Sequence, residues 1–240
     1  MVCRQSSILL VYLLVAPSCF AQTALNYLEK VAETYKHLKS LQVKADVERG
    51  QLNHRNKIKL AITLYVVPPD NRVRIETTDD VNILRSIMIS NGNSIIDYSV
   101  WKNEYSSYEG DVSVHFDPKR GTGLGEMLYD TIADGVRKAS IRGRQTIEIG
   151  KDLIPCVVVD VEYTGKKNLI AIFAFWIAEK GLIFRRAVTF WDGKEVHTLV
   201  SSVTALTANE ELPQEIFEFH PPPGATEVPT TSPAVPAAAR

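Results

Sequence analysis

The sequence has 240 residues, of which 45% are apolar and 23% are charged, so its composition excludes a wholly disordered, collagen-like or coiled-coil chain. Lysine and arginine number 27 against 28 aspartates and glutamates, which gives a formal net charge of −1 at pH 7. Nucleic acids and anionic lipid surfaces are bound through clustered positive charge. We therefore expect no nucleic-acid partner, and we do not expect long-range electrostatics to be the main attraction to any partner.

The first 21 residues are predicted to be a secretory signal peptide. Arg4 supplies a positive charge, residues 8–16 are an apolar stretch, and small residues at the −3 and −1 positions favour cleavage after Ala21. The apolar stretch is shorter than the roughly 20 residues of a spanning helix, so the protein is not expected to cross a membrane. The alternative is a bacterial lipoprotein signal that leaves an acylated Cys19, although Pro17 makes the lipobox poor. Both interpretations predict export.

The mature chain opens with one helix and continues mainly as strands. Apolar residues from Leu25 to Leu38 recur every three or four positions, which predicts an amphipathic helix of about 16 residues. A short turn at 91–93 favours a hairpin, and 123–139 has the spacing of a second helix. Alternating or continuous apolar residues predict strands at 41–47, 58–66, 73–75, 86–90, 94–101, 146–149, 155–163, 168–177, 182–191 and 196–205.

These elements predict an α+β fold in which eight to ten antiparallel strands form a curved sheet that cups two amphipathic helices. Repeated hairpins without alternating βαβ units exclude a doubly wound sheet. Residues 169–177 are nine apolar residues in succession, so this strand is expected to be central or covered on both faces. We expect one domain over 22–225, and a disordered tail over 226–240 because proline, alanine and threonine dominate there.

No pattern of catalytic or metal-binding residues stands out. The sequence has no nucleophile elbow and no paired metal-binding histidines, and the glycine-rich stretch 121–125 lacks the spacing of a nucleotide-binding loop. After cleavage Cys156 is the single cysteine, which excludes an internal disulfide. Cys156 itself is best interpreted as a small buried hydrophobe. We therefore expect no enzymatic activity, no cofactor and no metal site. An exported sheet that cups helices is then a container or a docking surface.

Several segments in the right order resemble one known family. They are 35–41, 69–76, 90–94, 175–177, 181–185, 212–213 and 217–225, the last of which reads Phe217-Glu218-Phe219-His220-Pro221-Pro222-Pro223-Gly224-Ala225. This order resembles the periplasmic outer-membrane lipoprotein carrier superfamily (LolA/LolB-like), and in particular its uncharacterised predicted periplasmic branches. The resemblance covers about 200 residues.

The resemblance implies an unclosed β-barrel of about eleven antiparallel strands, with two or three helices as a lid over an apolar cavity. It also implies a periplasmic location, and lipid or lipoprotein acyl chains as the cargo. The carrier has a basic residue before the proline that follows its long strand, whereas this chain has Val67 before Pro68. That departure leaves the fold unaffected but weakens the case for the lipoprotein-delivery cycle.

Two functional hypotheses follow. The first is a non-enzymatic carrier or chaperone that holds acyl chains on the apolar inner face of the sheet. The alternative is a periplasmic sensor or scaffold module that binds an envelope protein through its curved sheet and carries no lipid. The candidate cavity residues for the first hypothesis are Val43, Val47, Ile58, Leu60, Ile62, Leu64, Val73 and Ile75.

Overall fold

The computed structural model describes residues 16–51, 57–110, 112, 114–115, 126–163, 170–191 and 194–229. Residues 1–15 of the predicted signal peptide, the glycine-rich stretch 121–125 and residues 230–240 of the predicted tail lie outside the described residues. The described residues group into two compact units. Unit 1 contains those within 1–37, 48–58 and 115–202, and unit 2 contains those within 38–47, 59–114 and 203–240.

The predicted first helix is confirmed as α1, Ala16–Lys36. Its buried stripe follows the helical period, with Leu28, Val31 and Tyr35 almost fully shielded from solvent, while Glu29 and Lys36 are exposed. The helix ends at Lys36, a cation in the last turn that interacts favourably with the negative end of the helix dipole.

Twelve strands of the described chain form one sheet, which is antiparallel except where β12 pairs with β6. The pairing order is β12-β6-β5-β4-β3-β2-β1-β11-β10-β9-β8-β7, so β12 and β7 are its two ends and the sheet is unclosed. The strands are β1 (Leu41–Gln51), β2 (Ile58–Val67), β3 (Arg72–Asp79), β4 (Leu84–Asn91), β5 (Ser94–Ser99), β6 (Glu104–Glu109), β7 (Val136–Ile149), β8 (Asp152–Tyr163), β9 (Ile170–Ala178), β10 (Ile183–Trp191), β11 (Val196–Ala208) and β12 (Thr226–Glu227). The first two residues of the predicted tail thus belong to the sheet.

The expectation of two or three helices is wrong: the described residues contain one α-helix, together with two short 3₁₀ helices at Pro68–Asp70 and Gln214–Phe217. Residues 130–135, inside the predicted second helix, form turns, and β7 begins at Val136. Asp130, Thr131 and Asp134 favour turns over helix, and Gly135 adopts a φ of +66°, which ends any helical continuation. The apolar residues of this segment are nevertheless buried, because a turn can bury them as well as a helix can.

Strand β9 of unit 1 is buried on both faces over 173–177, as its continuous apolar sequence predicts. Phe173, Phe175 and Ile177 lie on one face, and Ala174 and Trp176 lie on the other. On the second face Ala174 and Trp176 pack with Cys156 and Val158 of β8. An exposed apolar patch over 173–177 is therefore absent.

Strands β2 and β3 of unit 2 bury one face. In their antiparallel register Leu64 lies opposite Ile75 and Val66 opposite Val73, so these four side chains share a face with Ile62. Ile62 is 1% exposed, whereas Ile58, at the start of β2, is 62% exposed. The alternating pattern of the sequence thus corresponds to burial in the middle of β2 but not at its first residue.

The contrast between these two isoleucines in one strand can be measured. We expect Ile62→Ala to lower the free energy of unfolding by about 2–4 kcal/mol, because it leaves a cavity in a packed core. Ile58→Ala should change it by less than about 0.5 kcal/mol, since the side chain is mostly in water. Urea denaturation of both variants measures the difference, and equal shifts of the midpoint would contradict the assignment of Ile62 to the core.

Candidate functional site

A partly apolar cavity of about 480 Å³ lies in unit 1, beside α1 and strands β7, β8 and β9. We call it the helix-side cavity. Its volume is within the range of about 300–1,000 Å³ that is typical of small-molecule sites. Its lining residues are Tyr27, Lys30, Arg144, Gln145, Thr146, Pro155, Cys156, Val157, Ile177, Ala178 and Glu179.

The strand register explains the apolar floor of the helix-side cavity. Arg144 of β7 lies opposite Val157 of β8, which in turn lies opposite Ile177 of β9. Residues opposite one another in an antiparallel ladder share a face, so these three side chains form one row across the sheet. The neighbouring row on the same face contains Phe175, which is part of the packed core. The cavity therefore continues the buried face of the sheet beyond its aromatic core.

Helix α1 supplies the other wall through Tyr27 and Lys30. Residues three positions apart are neighbours on a helix surface, so both side chains lie on the same side of α1. The adjacent buried stripe of Leu28 and Val31 fixes the rotation of the helix about its axis. The side chains that line the cavity are thus positioned by core residues next to them in the sequence.

The turn between β9 and β10 holds α1 at this end of the sheet. Gly181 adopts a φ of +79°, and a Cβ atom at this position would lie 2.5 Å from the Thr34 hydroxyl oxygen of the helix. The Thr34 hydroxyl lies 3.0 Å from the Lys180 carbonyl oxygen of the turn and 2.9 Å from the Lys30 carbonyl oxygen of the helix. It donates to these carbonyl oxygens where the turn and the helix meet. Gly181 permits this approach because it has no side chain.

Cys156 is shielded from the solvent, with an exposed fraction of 3%. Burial disfavours the charged thiolate and raises the pKa of the thiol to about 11. A thiol with so high a pKa is a weak nucleophile at neutral pH. Burial of Cys156 as a small hydrophobe is therefore confirmed.

The eight cavity residues predicted from the sequence lie elsewhere. Val43, Val47, Ile62, Leu64 and Val73 are at most 2% exposed and belong to the packed core, while Leu60 and Ile75 are half-buried and Ile58 is exposed. None of the eight lines the helix-side cavity. Ile75 lines a separate cavity of about 340 Å³ in unit 2, together with polar residues such as Thr77, Ser86 and Asp97. That the eight residues contact a ligand stays a prediction.

Titratable residues form pairs but no larger site. Within the described ranges no group of three or more histidine, cysteine, aspartate or glutamate side chains could hold a metal ion. The His115 Nδ1 atom lies 2.8 Å from an Asp130 carboxylate oxygen, and His37 and His220 each lie near a glutamate. Among the described helices none is long and apolar enough to cross a membrane. The absence of enzymatic activity and of a cofactor remains an expectation.

The close approach of Gly181 to the helix predicts a specific cost of substitution. We expect Gly181→Ala to destabilise the fold more than Gly150→Ala does. Both glycines have a positive φ, of +79° and +60°, but nothing lies within 4 Å of a Cβ atom at Gly150. The backbone strain is common to both variants, so the difference between their thermal unfolding midpoints measures the contact with Thr34. Equal midpoints would show that the turn does not hold the helix.

Burial of Cys156 predicts slow chemical modification. At pH 8 a pKa near 11 leaves about 100-fold less thiolate than the ordinary value of 9.0 does. Iodoacetamide should therefore label the native protein at least 100-fold more slowly than the urea-unfolded protein. The raised pKa stabilises the fold fully below pH 9, and this contribution is lost as the pH rises towards 11. Equal labelling rates in the two states would disprove the burial.

No family model matches the chain, and no curated protein matches it. Several solved structures do. The lipoprotein LppX of Mycobacterium tuberculosis is 15% identical, with a TM-score of 0.50 over 80% of this chain and 98% of that one. An uncharacterised conserved protein of Thermus thermophilus is 13% identical, with a TM-score of 0.49 over 87% and 99% of the two chains. The MucA/MucB complex of Pseudomonas aeruginosa gives 12% identity and a TM-score of 0.45 over 82% and 61%.

The similarity to LppX extends over nearly the whole of that protein and shows a shared fold, which in the described residues of this chain is a large unclosed antiparallel sheet with one α-helix. At 15% identity it shows the fold alone. The unclosed antiparallel sheet that the resemblance implied is thus present in the described residues, and LppX shares this fold.

Proposed function

We propose that the protein is an exported, non-enzymatic binding protein that holds an acyl chain of a lipid or lipoprotein in the helix-side cavity. The observation that carries this proposal is the apolar row of Val157 and Ile177 beside α1, which leaves a ligand-sized space on the buried face of the sheet. The predicted signal peptide and the LolA-like fold support a periplasmic location and a role as carrier or chaperone.

The polarity of the lining favours an acyl chain over a polar metabolite. The floor is aliphatic, and Tyr27 and Pro155 add apolar surface at the sides. Burying an acyl chain there gains roughly 25 cal/mol per Å² of apolar surface removed from water. The charged residues of the lining, Lys30, Arg144 and Glu179, are all exposed, so they lie where a head group would remain in contact with water.

The packed core restricts where the cargo can lie in unit 1. Phe173 and Phe175 are fully buried, and the ring of Phe175 lies 5.9 Å from that of Tyr129. A core at this density has no room for a chain alongside these rings. We therefore propose the end of the sheet near Ile177, rather than the middle of its buried face, as the acyl site.

A second candidate function is a sensor or scaffold module that binds an envelope protein. One observation favours it: Val81, Ile83 and Trp101 are exposed at the ends of two hairpins in unit 2. The hairpins are neighbours, since the Val100 amide donates to the Arg85 carbonyl oxygen at 3.0 Å. Exposed apolar residues that cluster in this way often mark an interaction surface.

Filling the helix-side cavity tests the first candidate. We expect the purified protein to bind one palmitate molecule, measured by titration calorimetry and native mass spectrometry. Thr146→Trp should weaken palmitate binding at least tenfold, because Thr146 is an exposed residue of the lining whose enlargement occupies the space.

Thr189→Trp is the matched control. Thr189 is likewise an exposed strand threonine of unit 1, but it does not line the cavity. This variant should bind palmitate as the unmodified protein does, and thermal unfolding will verify that both variants are folded. If the unmodified protein binds no palmitate, or if the two variants bind it equally, the proposed site is wrong and the scaffold function is favoured.

A further inference from the structure

We propose that the ligand of the helix-side cavity is a single-chain anionic amphiphile, of the fatty-acid or lysophospholipid class, whose head group lies against Lys30 and Arg144. This inference rests on the proposed function and adds the charge and the chain number of the ligand. Lys30 comes from α1 and Arg144 from β7, and both side chains line the cavity and are exposed.

The two cations are not neutralised by the protein. Within the described part of the chain, neither Lys30 nor Arg144 forms an ion pair. Some arginines are paired within the protein: Arg142, two residues from Arg144 on β7, contacts both carboxylate oxygens of Asp160, at 2.5 and 3.0 Å. Arg72 and Arg85 are likewise paired with aspartates. The cations at the cavity are therefore available to a ligand.

The charge of the lining matches a monoanion. Glu179, which follows β9, is the one carboxylate among the lining residues, and it forms no ion pair with Lys30 or Arg144 in the described chain. Two cations and one carboxylate leave a net charge of +1. A carboxylate or a phosphodiester head group would neutralise this charge and form charge-assisted hydrogen bonds with the ammonium and guanidinium groups.

The volume of the cavity indicates one chain. If a methylene group occupies about the volume of a water molecule in the liquid, roughly 30 Å³, a cavity of about 480 Å³ holds about 16 carbons. That corresponds to one acyl chain and not to the two chains of a diacyl lipid. A neutral ester of the same chain would fill the cavity equally well but would leave both cations without a counter-charge.

The experiment compares ligands that differ in one feature each, by titration calorimetry with the full chain. Palmitate and methyl palmitate have the same acyl chain and differ in charge. Acetate has the charge of palmitate without its chain. Lysophosphatidylglycerol and its diacyl counterpart differ in the number of acyl chains. We expect palmitate to bind at least tenfold more tightly than its methyl ester. We expect acetate not to compete with palmitate, and the diacyl lipid to bind no more tightly than the single-chain lipid.

Variants assign the charge preference to the two residues. Lys30→Gln combined with Arg144→Gln should reduce palmitate affinity to that of methyl palmitate, and it should remove the weakening of palmitate binding by added salt. Lys36→Gln combined with Arg137→Gln is the control. It removes the same charge from exposed positions of α1 and β7 that do not line the cavity, so it should leave the palmitate preference unchanged.

The outcomes separate this inference from the proposed function. If palmitate and its methyl ester bind equally, and Thr146→Trp abolishes both, the acyl site stands and the anionic head group is wrong. If acetate competes with palmitate at equal concentration, the cavity is an anion site without an acyl chain. Tighter binding of the diacyl lipid than of the single-chain lipid would overturn the proposal that the ligand has one chain. If no lipid binds, both the proposed function and this inference are wrong.

Discussion

A continuous series of five aromatic side chains fixes the interior of unit 1. Tyr35 of α1 lies 5.3 Å from Tyr129, which contacts Phe175, and the series continues through Phe173 to Tyr163, with centroid distances of 5.2–5.9 Å. The tyrosines at the two ends of the series also form hydrogen bonds. The Tyr163 hydroxyl donates to the Ile132 carbonyl oxygen at 2.8 Å, and the Tyr35 hydroxyl accepts from the Ile183 amide. Burial raises the pKa of both phenols, so they remain neutral donors and acceptors. Helix, turn segment and sheet are thereby held together.

This packing determines where a ligand can lie. In β8 and β9 one row pairs Phe175 with Val159, whereas the next row on the same face pairs Ile177 with Val157. An isoleucine side chain fills less space than a phenyl ring, and α1 is held at a fixed distance by Tyr35 and by the close approach of Gly181 to Thr34. The helix-side cavity is therefore the space that remains where the aromatic packing stops. The proposed acyl site and the packed core can lie in one unit because they occupy successive rows of the sheet.

The sequence predicts the elements better than it predicts the site. The double-sided burial of β9 follows from its unbroken apolar run, and the turn at Gly92 follows from a residue that adopts a φ of +99°. The second helix was wrong because helical spacing of Met127, Leu128 and Ile132 is also compatible with buried turns. The helix-side cavity could not be predicted, because Arg144, Val157 and Ile177 come together only through the register of three strands. A hydrophobic pattern predicts burial, but it does not distinguish a packed strand such as β2 from one beside a cavity.

The charge balance of the whole chain and the charges of the helix-side cavity act at different distances. A formal net charge of −1 gives no long-range attraction to an anion. A local charge of +1 beside an apolar floor acts only within about a Debye length, about 8 Å at physiological salt. For the proposed ligand, burial of the apolar chain would then supply most of the affinity, and the head group would supply the selectivity. On the other face of β9, Arg142 and Arg185 cover the Trp176 ring at 6.0 and 5.0 Å, and this ring is shielded from the solvent. The helix-side cavity thus combines two cations that form no ion pair with an apolar floor, which is the combination that an anionic amphiphile requires, and this is the basis on which we propose ligand binding for unit 1.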